Sequence, residues 1–232
     1  MKPLLTVPIV THEPKQIEDQ LRSKVQGVEA YEIWLDHLKR KYLKPEIIAE
    51  LVKSWKRITD KKLICVLKSK REKGKYTDGC RGRADLLLAA AQSGAHYLDI
   101  GFLTSKQQIE RLRNGKGNAK LIISWHNFLK TPSRKILEEK IQQMKVLGAD
   151  VIKIATMVKT LQDNENLLQL AMELTVDKKA HIIIGMGQLG VLTRVFAKQF
   201  GNELNFVTLE SQTAPGQLTL NQMLTFEEVL HS

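Results

Sequence analysis

Apolar, β-rich runs recur along the 232 residues, and each is followed by a segment in which apolar positions return every three to four residues. The runs are Leu4–Val10, Ala30–Asp36, Lys62–Leu67, Ala95–Phe102, Lys120–His126, Asp150–Met157, His181–Met186 and Asn205–Leu209, which gives eight units of roughly 29 residues. Several are nearly continuous, as in Leu-Ile-Ile-Ser-Trp and His-Ile-Ile-Ile-Gly-Met. Continuous apolar runs suit parallel strands covered on both faces. Between them, Ile17, Leu21 and Val25, then Ile47, Leu51 and Trp55, then Leu137, Ile141 and Met144 mark the buried stripes of helices. Thr131 and Pro132 read as the N-cap and first residue of one helix, and Gly148 as its left-handed stop. Thr225-Phe-Glu-Glu228 reads as a capping box opening a short C-terminal helix. Eight alternating units without a low-complexity linker predict α/β architecture, a single (β/α)8 TIM barrel over residues 1–232. An open doubly wound sheet is the alternative, and no G-x-G-x-x-G follows the first strand.

Composition narrows the class. Hydrophobic residues make up 43%, enough for a substantial core. No apolar run approaches the ~20 residues of a membrane span, and Met1–Val10 lacks the length and cleavage site of a signal peptide. Cys65 and Cys80 build neither a disulfide framework nor a zinc site. The expectation is a soluble, cytoplasmic protein. The charge is uneven: residues 37–75 hold fourteen Lys or Arg against four Asp or Glu, +10 of the net +11. That stretch has no basic helix spaced for a groove, and Tyr42 and Trp55 do not alternate with its charges. The reading therefore disfavours nucleic acid and prefers a solvated basic face or a field that steers a small anionic substrate.

Barrels do their chemistry at the C-terminal ends of strands. Lys153 stands inside an apolar strand, where an ammonium is costly unless paired or neutral; a neutral lysine attacks ketones and aldehydes, and a paired or snorkelling one is structural. His126 ends the preceding strand and can carry protons both ways. Lys68 and Glu72 follow strand three. Glu32, Trp34 and Asp36 share one face of strand two, with Asp36 read as structural. Arg194 follows strand seven, where an arginine fork grips a carboxylate or an outer helix holds an ion pair. Gln212-Thr-Ala-Pro-Gly-Gln217 is a polar Pro-Gly turn suited to a lid or to any surface turn. His12, His37, His96, His181 and His231 show no metal-ligand spacing, and neither a P-loop nor a serine elbow is present, so no cofactor or metal is expected.

Four segments in order carry a family resemblance: Ser-Trp-His126-Asn-Phe with Lys-Thr-Pro following, Val-Ile-Lys153-Ile-Ala, Gly-Met186-Gly-Gln-Leu-Gly-Val-Leu-Thr-Arg194 and Thr213-Ala-Pro-Gly-Gln217. Together they resemble the type I 3-dehydroquinate dehydratases, Schiff-base lyases of the shikimate pathway. The resemblance implies Lys153 as the Schiff-base lysine, His126 as the acid–base group and Glu72 as its carboxylate partner. It implies Arg194 and Gln217 on the substrate carboxylate, Thr213 at the lid, Glu32 and Lys68 on ring hydroxyls, and Met186 against the ring. It further implies 3-dehydroquinate as the partner, no cofactor and a homodimer.

Two departures stand out. The family usually carries Arg where this chain has Trp34 and Lys68; lysine loses the planar fork and tryptophan loses the charge. They touch substrate binding and leave the Lys–His–Glu set intact. The alternatives are another class I aldolase-like barrel, which needs a glycine-built phosphate site that Gly185 and Gly187 barely suggest, and a non-catalytic basic barrel.

Overall fold

The computed structural model describes residues 2–77, 81–210 and 213–230; Cys80, Gln212 and His231 lie outside them. Strands and helices alternate as β1 (Leu4–Ile9), α1 (Pro14–Arg22), β2 (Ala30–Trp34), α2 (Pro45–Ile58), β3 (Lys62–Leu67), α3 (Arg81–Gln92), β4 (Tyr97–Gly101), α4 (Lys106–Gly115), β5 (Lys120–Asn127), α5 (Arg134–Val146), β6 (Val151–Met157), α6 (Leu161–Val176), β7 (His181–Met186), α7 (Val191–Val195), β8 (Leu204–Phe206) and α8 (Leu220–Val229). The strands form one sheet ordered β7-β6-β5-β4-β3-β2-β1-β8. This is the expected (β/α)8 barrel. The chain divides into two compact units, one of Met1–Val7, Ser124–Val146 and Val151–Ser232, the other of Pro8–Ile123 and Leu147–Asp150.

In the second unit β2, β3 and β4 run parallel, with Glu32 opposite Ile64 and Val66 opposite Asp99. Prolines open α1 and α2 at the first helical position, where a missing N–H costs nothing. The buried stripe of α2 is Ile48, Val52 and Trp55, one residue on from the expected Ile47 and Leu51. Spacings of four and three follow the 3.6-residue turn more closely than two spacings of four. Helix α1 stops at Arg22, so Val25 falls beyond its stripe. Strand β2 ends at Trp34, and Leu35–His37 turns as a 3-10 segment. Asp36 therefore leaves the face of Glu32. Its carboxylate instead accepts the backbone N–H groups of Lys68 (3.2 Å) and Lys75 (2.9 Å), which is the structural role expected of it.

In the first unit β6 and β7 are parallel over their whole length, with Lys153 opposite Ile182, and β1 pairs with β8 from Leu4 and Leu204 onward. The stripe Leu137, Ile141 and Met144 of α5 is buried as expected, and Gly148 adopts φ +81 past its end. Thr131 is not its N-cap. That buried hydroxyl is engaged by Thr156 Oγ1 (2.9 Å) and the Met157 carbonyl (3.0 Å), and α5 begins at Arg134. The C-terminal capping box is Thr219 with Gln222, and Thr225 lies inside α8, its hydroxyl bonded back to the Asn221 carbonyl.

Strand β8 is three residues long, and among the described residues β7 meets this part of the chain through one isolated bridge, His181 to Asn202. A side chain supplies what the ladder lacks. Buried Asn202 accepts the Ile183 N–H (2.8 Å) and donates to the Ile183 carbonyl (3.3 Å), and Glu203 N–H donates to the His181 carbonyl (2.8 Å). Asn202→Ala leaves a buried N–H and C=O without partners, and urea melts should show a loss of about 2–4 kcal/mol. Asn202→Asp keeps the acceptor and should recover part of the loss.

Candidate active site

The first unit gathers six of the nine expected site residues. Lys153 is the third residue of β6, a strand otherwise without charge, and its side chain is nearly buried at 5% exposure. Its Nζ lies 4.2 Å from the centroid of the Phe206 ring on β8, over the aromatic face. His126 is the seventh residue of β5; its ring stacks on Phe128 at 5.7 Å with the planes 10° apart. Met186 ends β7 and is buried.

Arg194 sits in the short helix α7 and is 2% exposed. The Phe206 carbonyl is 3.4 Å from one of its terminal nitrogens, and Nε has no hydrogen-bond partner. Burial brings its pKa down to about 10, so it remains charged at neutral pH. Among the described residues no carboxylate pairs with it, which rejects the outer-helix ion pair. A buried guanidinium left in this state costs free energy that an incoming anion recovers.

The turn after β8 is tied down rather than loose. Gln217 Oε1 accepts both the N–H and the hydroxyl of Thr213, each at 2.9 Å. The Pro215 carbonyl accepts the Gly187 N–H at 3.0 Å, and Gly216, at φ +75, leaves no room for a Cβ against the Gly187 carbonyl. The turn is thus seated on the residue that follows Met186.

The second unit holds Glu32, Lys68 and Glu72. Glu32 is buried on β2 and receives the Trp34 indole N–H at 2.8 Å. Trp34 meets the His37 ring edge-on, and His37 stacks on His12. Burial, with the nearby Lys75 and His12, lowers the His37 pKa against the opposing pull of Asp36. Lys68, just past β3, forms a fully buried ion pair with Asp99 of β4. Glu72 lies in a 3-10 turn, where its Oε2 takes three donors: Ser69 N–H (3.2 Å), Ser69 hydroxyl (2.7 Å) and Arg83 of α3 (2.9 Å). A methyl group at Gly101 would coincide with Glu72 Oε1, so the absent side chain at the end of β4 makes the seat for this carboxylate.

The model of the type I 3-dehydroquinase family matches residues 5–232. The chain belongs to that family. It is 31% identical over 209 residues to the 3-dehydroquinate dehydratase of Thermodesulfovibrio yellowstonii, covering 90% of this chain and 88% of that one. Among solved structures, the 3-dehydroquinate dehydratase of Aquifex aeolicus superposes with a TM-score of 0.81 at 25% identity over 99% of both chains. That of Geobacillus kaustophilus reaches 0.91 at 23% identity over 100% of this chain and 92% of its own, a likeness of fold.

Against this type I 3-dehydroquinase frame, the sequence reading missed Asp99, Arg83 and Gly101. Asp99 carried a signal: an acid inside Tyr-Leu-Asp-Ile-Gly is as costly to bury as a lysine inside β6. Arg83 carried none, because an arginine on a helix is ordinary until its burial is known. No cluster of His, Cys, Asp and Glu among the described residues could hold a metal ion.

Gly101→Ala and Glu72→Gln should each lower stability by about 3 kcal/mol, since each strands buried Arg83. The double variant should lose little more than either alone in a denaturation cycle. Additive losses would mean that Gly101 serves something other than the Glu72 seat.

Proposed function

We propose that the chain eliminates water from 3-dehydroquinate to give 3-dehydroshikimate through a Schiff base on Lys153. The observation that carries this reading is the presence, within one unit, of a buried lysine on an apolar strand and a buried guanidinium that no carboxylate among the described residues neutralises. One is a nucleophile for a ketone and the other a receptor for a carboxylate, and the substrate carries both groups.

The uncharged Lys153 amine adds to the C3 ketone, and loss of water leaves an iminium that acidifies the C2 proton. His126 removes that proton. The C2–H electron pair forms the new C1–C2 double bond as the C1 hydroxyl departs, taking a proton from His126 to leave as water. Hydrolysis of the iminium frees the product and Lys153. Glu72 supports His126 as its carboxylate partner. Arg194 and Gln217 bind the substrate carboxylate under the turn that begins at Thr213, and Met186 walls the ring. Glu32 and Lys68 address the ring hydroxyls, each already engaged: Glu32 by Trp34, Lys68 by Asp99. The reaction makes the protein a hydro-lyase of the shikimate pathway.

The family resemblance further supports one catalytic domain over 1–232 acting as a cytoplasmic homodimer, which sedimentation of the purified protein tests. No helix among the described residues is long and apolar enough to cross a membrane.

Borohydride added to protein and 3-dehydroquinate should fix an adduct on the wild type and none on Lys153→Ala, read by intact mass. A folded wild type that traps nothing would overturn the Schiff base. Trp34→Arg should lower KM about tenfold, the size expected of one added charge-assisted hydrogen bond, with kcat nearly unchanged. An unchanged KM would remove Trp34 from substrate recognition.

A further inference from the structure

We propose a second binding site, for a small oxyanion, at the amino-terminal ends of β3, β4 and β5, the strand ends away from Lys68 and Gly101. A cavity of about 460 Å³ lies there, lined by Lys62, His96, Tyr97, Lys116 and Lys120 together with the amides Gln92 and Asn118 and small residues, and no Asp or Glu lines it. That volume falls within the range of small-ligand sites. Lys62 forms no ion pair among the described residues. Lys116 is held by Asp150 at 2.8 Å, and Lys120 reaches over the Tyr97 ring.

The decisive geometry is at His96. The buried Leu63 backbone N–H donates to its Nδ1 at 3.1 Å. Burial, with Lys56 and Lys62 nearby, lowers its pKa to about 4, so at neutral pH the ring is uncharged and carries one proton. With Nδ1 accepting, that proton is on Nε2. Nε2 lies 3.4 Å from the Lys56 ammonium, so two hydrogen-bond donors face each other. The other tautomer would merely move the conflict to the buried Leu63 N–H, which needs its acceptor. Lys56 has no carboxylate partner among the described residues. An anionic oxygen seated to one side of Lys56 Nζ and His96 Nε2, within reach of both, accepts from each and turns a repulsive approach into two charge-supported bonds.

Lys56 and Arg57 also stand in the last turn of α2, where cations suit the helix dipole. That accounts for the sign of their charge. It accounts neither for donor facing donor nor for a cavity without acids. Phosphate groups and polycarboxylates share the chemistry that fits, and two probes separate them.

The test follows the His96 ring resonance against pH in the full chain carrying Arg194→Gln, which removes the buried guanidinium as a competing anion receptor. Titrations run in chloride, inorganic phosphate and citrate at equal ionic strength. In chloride the midpoint should lie near 4. The preferred anion should raise it by about one unit, a tenfold tighter hold on the protonated ring, and binding should tighten as pH falls. Lys56→Met with Lys62→Met should abolish the anion dependence while the ring still titrates. A larger rise in phosphate than in citrate assigns a phosphate-bearing ligand, and the reverse a polycarboxylate. Equal midpoints in all three salts, or an equal rise in the double variant, would overturn the proposal.

Discussion

A charge taken out of water must be answered by an opposite charge, by hydrogen bonds or by a ligand, and this molecule distributes those answers unevenly. In the second unit the protein answers its own buried cations: Lys68 has Asp99, and Arg83 has Glu72. In the first unit Arg194 has one long bond to the Phe206 carbonyl among the described residues. The second unit thus closes these charges internally, while Arg194 in the first has no carboxylate partner among the described residues.

The same accounting gives meaning to the two departures from the family's arginines. Trp34 loses the charge yet keeps a donor, which it spends on Glu32 at 2.8 Å. Glu32 is thus oriented by a neutral group. Lys68 keeps the charge but Asp99 cancels it locally. At both positions the polar group is therefore an oriented or neutralised one, not a free cation.

Much of this was legible in the residues. The continuous apolar runs located all eight strands, because strands covered on both faces leave no alternation to misread. Lys153, His126 and Arg194 were visible as polar residues interrupting apolar runs or following them. What escaped depended on third parties. Thr131 has the chemistry of an N-cap, but a buried hydroxyl takes the nearest acceptors, and β6 supplied them. Asp36 looked like a strand residue until the chain turned after Trp34. Gly101 is informative only through Glu72, which occupies the space its side chain would have filled. Such roles belong to pairs of distant residues, and no local pattern encodes them.

The pairing of β1 with β8 bears on how the chain is made. Leu4 finds its partner in Leu204, far along the polypeptide. A ribosome releases the two in that order, so one edge of the first strand stays without its ladder while the residues between them emerge. An open strand edge is a template for pairing with other chains. Proline at position 8 and the brevity of the strand, six residues, limit that edge. The nascent chain thus carries protection against a hazard that the finished barrel no longer has.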